Sequence, residues 1–220
     1  MNFFVIIPAH NEEKRINEVI YRARKQTQNI IVVDDGSKDQ TAQIAEESGA
    51  RIIKHKVNLG KGAALKTGCD AALKLNAEAM TLIDADNQHN PEEIPKFIEK
   101  LEKGCDIVFG VRKTNGLNKK MPLAMLIGNK ILTKIINALL KINVTDTQSG
   151  FRAFTKEAYL KIKWSSSDYF VETEMLINSV NKKLKYAEIP IETIYHDAHK
   201  GTTFLDGIKI LFNIIIWKLI

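Results

Sequence analysis

Short apolar runs alternate with amphipathic stretches through the first half of the chain. Phe3 to Ile7 is continuously apolar and stops at Pro8, and Ile30 to Val33, Arg51 to Ile53, Met80 to Ile83 and Asp106 to Gly110 repeat the pattern. Runs of this kind mark strands buried on both faces. Between them, Ile16, Val19 and Ile20 share a helical stripe, as do Thr41, Ile44 and Ala45, and Ile94, Phe97, Ile98 and Leu101. Residues 62–75 read as a further helix. Asn11 is placed to cap the first helix, and Gly49 to end the second. Strand and helix in alternation predict an α/β fold with a mostly parallel sheet covered by helices on both faces. Such sheets bind ligands at the carboxyl ends of their strands. The polar clusters fall there, after Ile7, Val33, Ile83 and Gly110.

The second half changes character. Residues 113–120 form a polar loop. Met121 to Ile142 is a long helical stretch with Leu123, Leu126, Ile127, Ile131, Ile135, Leu139 and Ile142 apolar and Lys130, Lys134 and Lys141 among them. Packing on the core and facing a membrane are equally good readings of it. Phe204 to Ile220 carries a broad apolar stripe interrupted by Lys209 and Lys218. A bilayer span needs about 20 apolar residues, so this stretch is expected to lie as an amphipathic helix at the membrane surface, with Trp217 and Lys218 at the boundary. The expected organisation is one α/β domain over residues 1–203 followed by that helix over 204–220.

Composition narrows the classes. The chain has 220 residues, 45% of them apolar and 26% charged, which suits one α/β domain with a short appendage. Its net charge is +6 and its isoelectric point about 9.1, compatible with phosphate-bearing or membrane partners. No basic-aromatic RNA motif or DNA-reading helix is visible, so no nucleic-acid partner is expected. Cys69 and Cys105 sit in apolar patterns and read as buried thiols, which favours a reducing compartment. The N-terminus begins on a strand and does not read as a signal peptide.

Asp84-Ala85-Asp86-Asn87-Gln88-His89 is the most informative stretch. Two carboxylates two residues apart at a strand end are costly unless a cation neutralises them. Mg²⁺ or Mn²⁺ suits oxygen ligands and shares them with a diphosphate, and Gln88 offers a carbonyl oxygen. Asp34-Asp35-Gly36-Ser37 offers a carboxylate to a nucleobase or ribose. Pro8-Ala9-His10-Asn11-Glu12 places His10 where it can stack on a base. In Asn58-Leu59-Gly60-Lys61-Gly62, helix-opening amides and the Lys61 cation suit phosphate, although the spacing is not that of a P-loop.

With Asp146-Thr147-Gln148-Ser149-Gly150-Phe151-Arg152, these motifs fall in an order and spacing that resembles the GT-A glycosyltransferases of the dolichyl-phosphate mannose/glucose synthase group, over roughly residues 3–203. The resemblance implies a Rossmann-like GT-A fold and an inverting transfer of a hexose to dolichyl or polyprenyl phosphate. The implied donor is GDP-mannose, UDP-glucose or UDP-N-acetylglucosamine. It implies that Pro8, His10, Glu12, Asp35, Lys61 and Asp84 bind the nucleotide sugar and that Asp84, Asp86 and Gln88 hold Mg²⁺ or Mn²⁺. An anionic acceptor needs cations, so Arg112, Arg152 and Lys200, with Ser149, are the candidates for its phosphate. Asp86, Asp146, Arg112 and Arg152 are the candidates for catalysis. Relatives often carry an arginine in the helix where Ile127 stands here, and Lys119 or Lys130 is the expected substitute. The implied setting is peripheral, at the cytoplasmic face of a membrane, with a membrane-protein partner or a homo-oligomer compatible. A transferase with a soluble or cell-surface sugar acceptor is the nearest alternative. A sugar nucleotidyltransferase would want a glycine-rich basic loop after the first strand, and a non-catalytic membrane module would not need Asp84 and Asp86.

Overall fold

The computed structural model describes residues 1–113, 123–168 and 170–194. Five strands stand close to where the apolar runs put them: β1 (Phe3–Ala9), β2 (Ile30–Asp34), β3 (Arg51–Lys54), β4 (Ala79–Leu82) and β5 (Ile107–Arg112). Two more, β6 (Arg152–Thr155) and β7 (Tyr186–Ile191), complete one sheet in the order β3-β2-β1-β4-β6-β5-β7. Every pairing is parallel except those of β6, which lies antiparallel between β4 and β5. The fold is GT-A, α/β with a mostly parallel sheet.

The helices follow from their stripes. α1 (Ile16–Arg24) buries Ile16, Val19, Ile20 and Ala23, and α4 (Ile94–Glu102) buries Ile94, Phe97, Ile98 and Leu101. Both sets have the i, i+3, i+4, i+7 spacing of one helix face. α2 (Thr41–Glu47) shares their side of the sheet. α3 (Lys61–Lys74), α5 (Leu123–Leu140), α6 (Lys156–Ile162) and α7 (Val171–Asn181) cover the other. Two apolar layers result, one with Val5, Ile7, Val32 and Val108, the other with Phe4, Ile6, Ile31 and Phe109. Neighbouring strand residues divide between the two layers, as period-two side chains require.

Asn11 does not cap α1. It sits at φ 55°, its amide donates to Ser37 Oγ at 2.9 Å and its side-chain oxygen accepts from Lys38 N at 2.9 Å. It thus ties the turn after β1 to the turn after β2. In α5, Leu132 and Ile136 are buried while Ile127, Lys130, Ile131 and Lys134 are exposed. Among the described residues, no helix is long and apolar enough to cross a membrane. Lys119, Lys200 and the expected helix over 204–220 lie outside the described residues.

Candidate active site

The strand order reverses beside β1, with β2 on one side and β4 on the other. A crevice at the carboxyl edge opens at such a reversal, and the first, second and third polar clusters, after β1, β2 and β4, border it. Pro8 is half-buried and His10 exposed. The Asn11 amide lies 3.1 Å from His10 Nε2 and the Asp35 carbonyl 2.9 Å from Nδ1. Nε2 is therefore the acceptor, Nδ1 carries the proton, and the ring is steadied with its face open. Glu12 lies 3.7 Å from Arg15, and its amide donates to Thr41 Oγ1 at 2.7 Å.

Asp35 departs from the nucleoside role expected of it. Its carboxylate is 5% exposed and accepts from Leu59 N at 2.9 Å and Gly60 N at 2.8 Å, with His55 Nδ1 at 2.7 Å. It anchors the loop that leads into α3. The neighbouring Asp34 is also buried, yet its Oδ1 has no hydrogen-bond partner. An unpaired buried oxygen is costly, which makes Asp34 the better acceptor for an incoming N–H.

The glycines around Lys61 answer a different need from the phosphate cradle expected. A Cβ on Gly60 would stand 2.2 Å from Ser167 O, and one on Gly62 2.2 Å from Ser166 O. Gly62 N donates to Ser167 O at 2.7 Å. The start of α3 is thus closed by the 165–168 loop, which Glu174 secures by accepting from the amides of Ser165 and Ser166, each at 2.8 Å. What remains for an anion is the Lys61 side chain.

That ammonium lies 2.7 Å from Asp84 Oδ1 and 2.8 Å from Glu172 Oε1. Burial alone would lower its pKa, but the charges of Asp84 and Glu172 outweigh burial and raise it. Burial likewise opposes ionisation of Asp84, yet the Lys61 charge holds its carboxyl below the usual range. Asp86 goes the other way: burial, then the Asp84 charge, push it up to about 6. Its Oδ1 accepts from Gln88 N at 3.0 Å. His89 is buried, pushed down to about 4 chiefly by burial, and stands 3.8 Å from Asp84 Oδ2. Arg22 of α1 steadies the following turn, donating to Asn87 Oδ1 and Glu92 Oε1, each at 3.0 Å. Asp84, Asp86 and Gln88 together offer hard oxygen donors, and one of the carboxylates is crowded enough to resist ionisation. That donor set fits Mg²⁺ or Mn²⁺. Among the described residues, no three His, Cys, Asp or Glu side chains converge as a metal cage.

Arg112 at the end of β5 meets Asp146 with two contacts, 2.6 Å from Nε to Oδ2 and 2.9 Å from Nη2 to Oδ1. Burial disfavours the Asp146 charge, but Arg112 outweighs it and keeps the carboxyl low. Asp146 therefore orients a cation. Arg152 is a correction. It is 1% exposed, and its guanidinium donates to the carbonyls of Ser149 at 2.9 Å, Glu172 at 2.5 Å and Thr147 at 2.9 Å. Burial lowers it to about 10, still charged at neutral pH. A group so enclosed braces the 147–152 loop against α7 and does not present its guanidinium to a phosphate. Ser149 Oγ is buried without a partner. Gly150 lies against the Lys61–Asp84 pair, and a Cβ there would stand 2.7 Å from Asp84 Oδ2. Glu172 was not legible in the sequence, since nothing in the opening turn of α7 marks it.

Two carboxylates beyond β4, a cation paired with one of them and a second cation at the end of β5 together suit transfer from a diphosphate. A sequence model described as Glycosyl transferase family 2 matches residues 4–163. The chain belongs to that family. It is a glycosyltransferase. An uncharacterized protein of Methanocaldococcus jannaschii is 40% identical over 98% of this chain and 92% of its own. The UDP-N-acetylglucosamine–dolichyl-phosphate N-acetylglucosaminyltransferase of Methanococcus voltae is 36% identical over 98% of this chain and 96% of its own. Among solved structures, glucosyl-3-phosphoglycerate synthase of Mycobacterium tuberculosis, in complex with Mn²⁺, uridine diphosphate and phosphoglyceric acid, aligns with a TM-score of 0.78 at 20% identity, covering 98% of this chain and 78% of that one. At that identity the likeness establishes the shared fold.

Proposed function

We propose that this family 2 glycosyltransferase moves N-acetylglucosamine or another hexose from a uridine-diphosphate sugar to dolichyl or polyprenyl phosphate, with inversion. The observation that carries the reading is the meeting of Asp84, Lys61 and Gly150, which joins the donor carboxylates to the acceptor motif. The full-length likeness to an enzyme named for a dolichyl-phosphate acceptor supports the same choice.

Pro8, His10 and Glu12 border the nucleoside, with the His10 face against the base and Asp34 accepting one of its N–H groups. Asp84, Asp86 and Gln88 hold a divalent cation. When bound, Mg²⁺ or Mn²⁺ neutralises charge that builds on the departing diphosphate. An acceptor phosphate oxygen attacks the anomeric carbon as the bond from that carbon to the diphosphate breaks. The nucleophile is already anionic, so no general base is required. Arg112, oriented by Asp146, supplies charge-assisted contacts to the acceptor phosphate, and Ser149 Oγ is a further donor. Ile127 and Ile131, exposed beside exposed Lys130 and Lys134, support a lipid surface on α5.

The test incubates the purified chain with polyprenyl phosphate, detergent and Mn²⁺, offering UDP-N-acetylglucosamine, UDP-glucose and GDP-mannose in parallel. Lipid-linked sugar formed with a uridine donor and lost in excess EDTA is the expected result. Transfer to 3-phosphoglycerate but not to lipid phosphate would replace the acceptor, and activity that survives EDTA would refute the metal.

A further inference from the structure

Lys61 joins three elements. Its ammonium lies 2.7 Å from Asp84 beyond β4 and 2.8 Å from Glu172 in the first turn of α7. A Cβ on Gly150 would come within 2.9 Å of the same nitrogen, so the backbone of the acceptor motif closes over the group. The lysine, aspartate and glutamate side chains are 18, 25 and 7% exposed, which puts the three charges in a poorly solvated place. Lysine is a point charge on a flexible stem, able to shift between partners where the fixed fork of arginine is not. One partner, Asp84, is a carboxylate assigned above to a divalent cation. The other, Glu172, has no part in that donor set.

We propose that Lys61 is the resident counter-cation of Asp84, that an incoming divalent cation competes with it, and that Glu172 is the positioning residue that keeps the ammonium in the site once Asp84 turns to the metal. The inference rests on the assignment of Asp84 to the metal given above. Before donor binding, Lys61 spares the site a buried unpaired carboxylate. After it, the ammonium leans on Glu172 and faces the diphosphate. No covalent bond changes and no proton moves in this exchange.

The experiment follows free Mn²⁺ by electron paramagnetic resonance during titration of the full chain, with and without UDP. The chains are wild type, Lys61→Met, Lys61→Arg and Glu172→Gln, each checked for folding by circular dichroism. Without UDP, Lys61→Met should bind Mn²⁺ at least tenfold more tightly, about 1.4 kcal/mol, because the competitor is gone. Its affinity should also rise less on adding UDP than that of wild type. Lys61→Arg should bind Mn²⁺ no more tightly than wild type, since the competing charge is kept and its fixed fork shifts from Asp84 less readily. Glu172→Gln should bind several-fold more weakly, because Lys61 then depends on Asp84 alone. Unchanged or weaker Mn²⁺ binding by folded Lys61→Met overturns the exchange, as does a Glu172→Gln titration that matches wild type. The isosteric Glu172→Gln carries the test where Lys61→Met fails to fold. Absence of Mn²⁺ binding by wild type even with UDP would overturn the metal assignment and this inference together, whereas Lys61→Met or Glu172→Gln binding like wild type overturns the exchange alone.

Discussion

Replacing Arg152 with methionine separates a brace from a ligand. The native guanidinium serves three buried carbonyls, of Thr147, Ser149 and Glu172. Hydrogen bonds from a charged donor contribute about 1.5–3 kcal/mol each, a gross sum of roughly 5–9 kcal/mol. Leaving the three buried carbonyls without a donor costs about 1–3 kcal/mol each, and relief from burying the guanidinium offsets part of that, so a net loss of about 3–5 kcal/mol is expected. Methionine keeps much of the stem's packing against Phe109, whose ring centroid is 5.1 Å from the guanidinium carbon, so the loss falls on the polar contacts. For a chain of this size, each kcal/mol moves Tm by roughly 2–4 °C, which gives a fall of about 6–20 °C. Urea unfolding checks the free energy and calorimetry checks Tm. Arg152→Lys should recover little, because one ammonium does not reach three carbonyls at once. A variant with wild-type stability and a selective rise in KM for lipid phosphate would refute the brace and restore Arg152 as a phosphate ligand.

Asp86→Asn should lower kcat at least about 100-fold while Tm holds or rises, since a buried like charge is removed beside Asp84; near-native turnover would refute its metal role. Mn²⁺ affinity should fall as pH drops through about 6, because Asp86 is pushed up to about 6 and the proton competes with the metal. Below that point the loss approaches about tenfold per pH unit, and a flat isothermal titration profile between pH 7 and 5 would count against it. Gly62→Ala brings a Cβ to 2.2 Å from Ser166 O, so the 165–168 loop must move. A destabilisation of at least about 2 kcal/mol is expected in urea unfolding, and wild-type stability would show that the loop yields freely.

What was legible in the sequence divides along physical lines. The parallel strands show as unbroken apolar runs because both faces are covered, and the helix stripes of α1 and α4 repeat at helical period. β6 escapes because its first residue is a charged arginine, whose burial depends on carbonyls from α7 and from its own preceding loop. β7 escapes because Tyr186, Glu188 and Pro190 alternate with the apolar positions of an outer strand. Asp84 and Asp86 stand out by spacing alone. Asp35 misleads because a residue type apt for a nucleoside equally suits three donors from a neighbouring loop. The glycines at 60 and 62 mislead for the same kind of reason: close approach to another backbone and to a phosphate both call for glycine. Glu172 is silent because its partner lies far away in the chain.

The reversed strand sets a schedule for the ribosome. Among the described residues, β5 pairs only with β6 and β7, and the side of β4 facing away from β1 is covered only by β6. Until Arg152 to Thr155 leave the exit tunnel, a nascent chain carries one open strand edge and one strand with nothing to pair with. Such edges are where polypeptides join the wrong neighbour. The donor carboxylates are made early, yet the Lys61 contact with Glu172 waits for α7. A chain released before residue 172 therefore carries most of the recognisable motifs and an incomplete pocket, and one released before residue 152 also leaves the edge of β4 open.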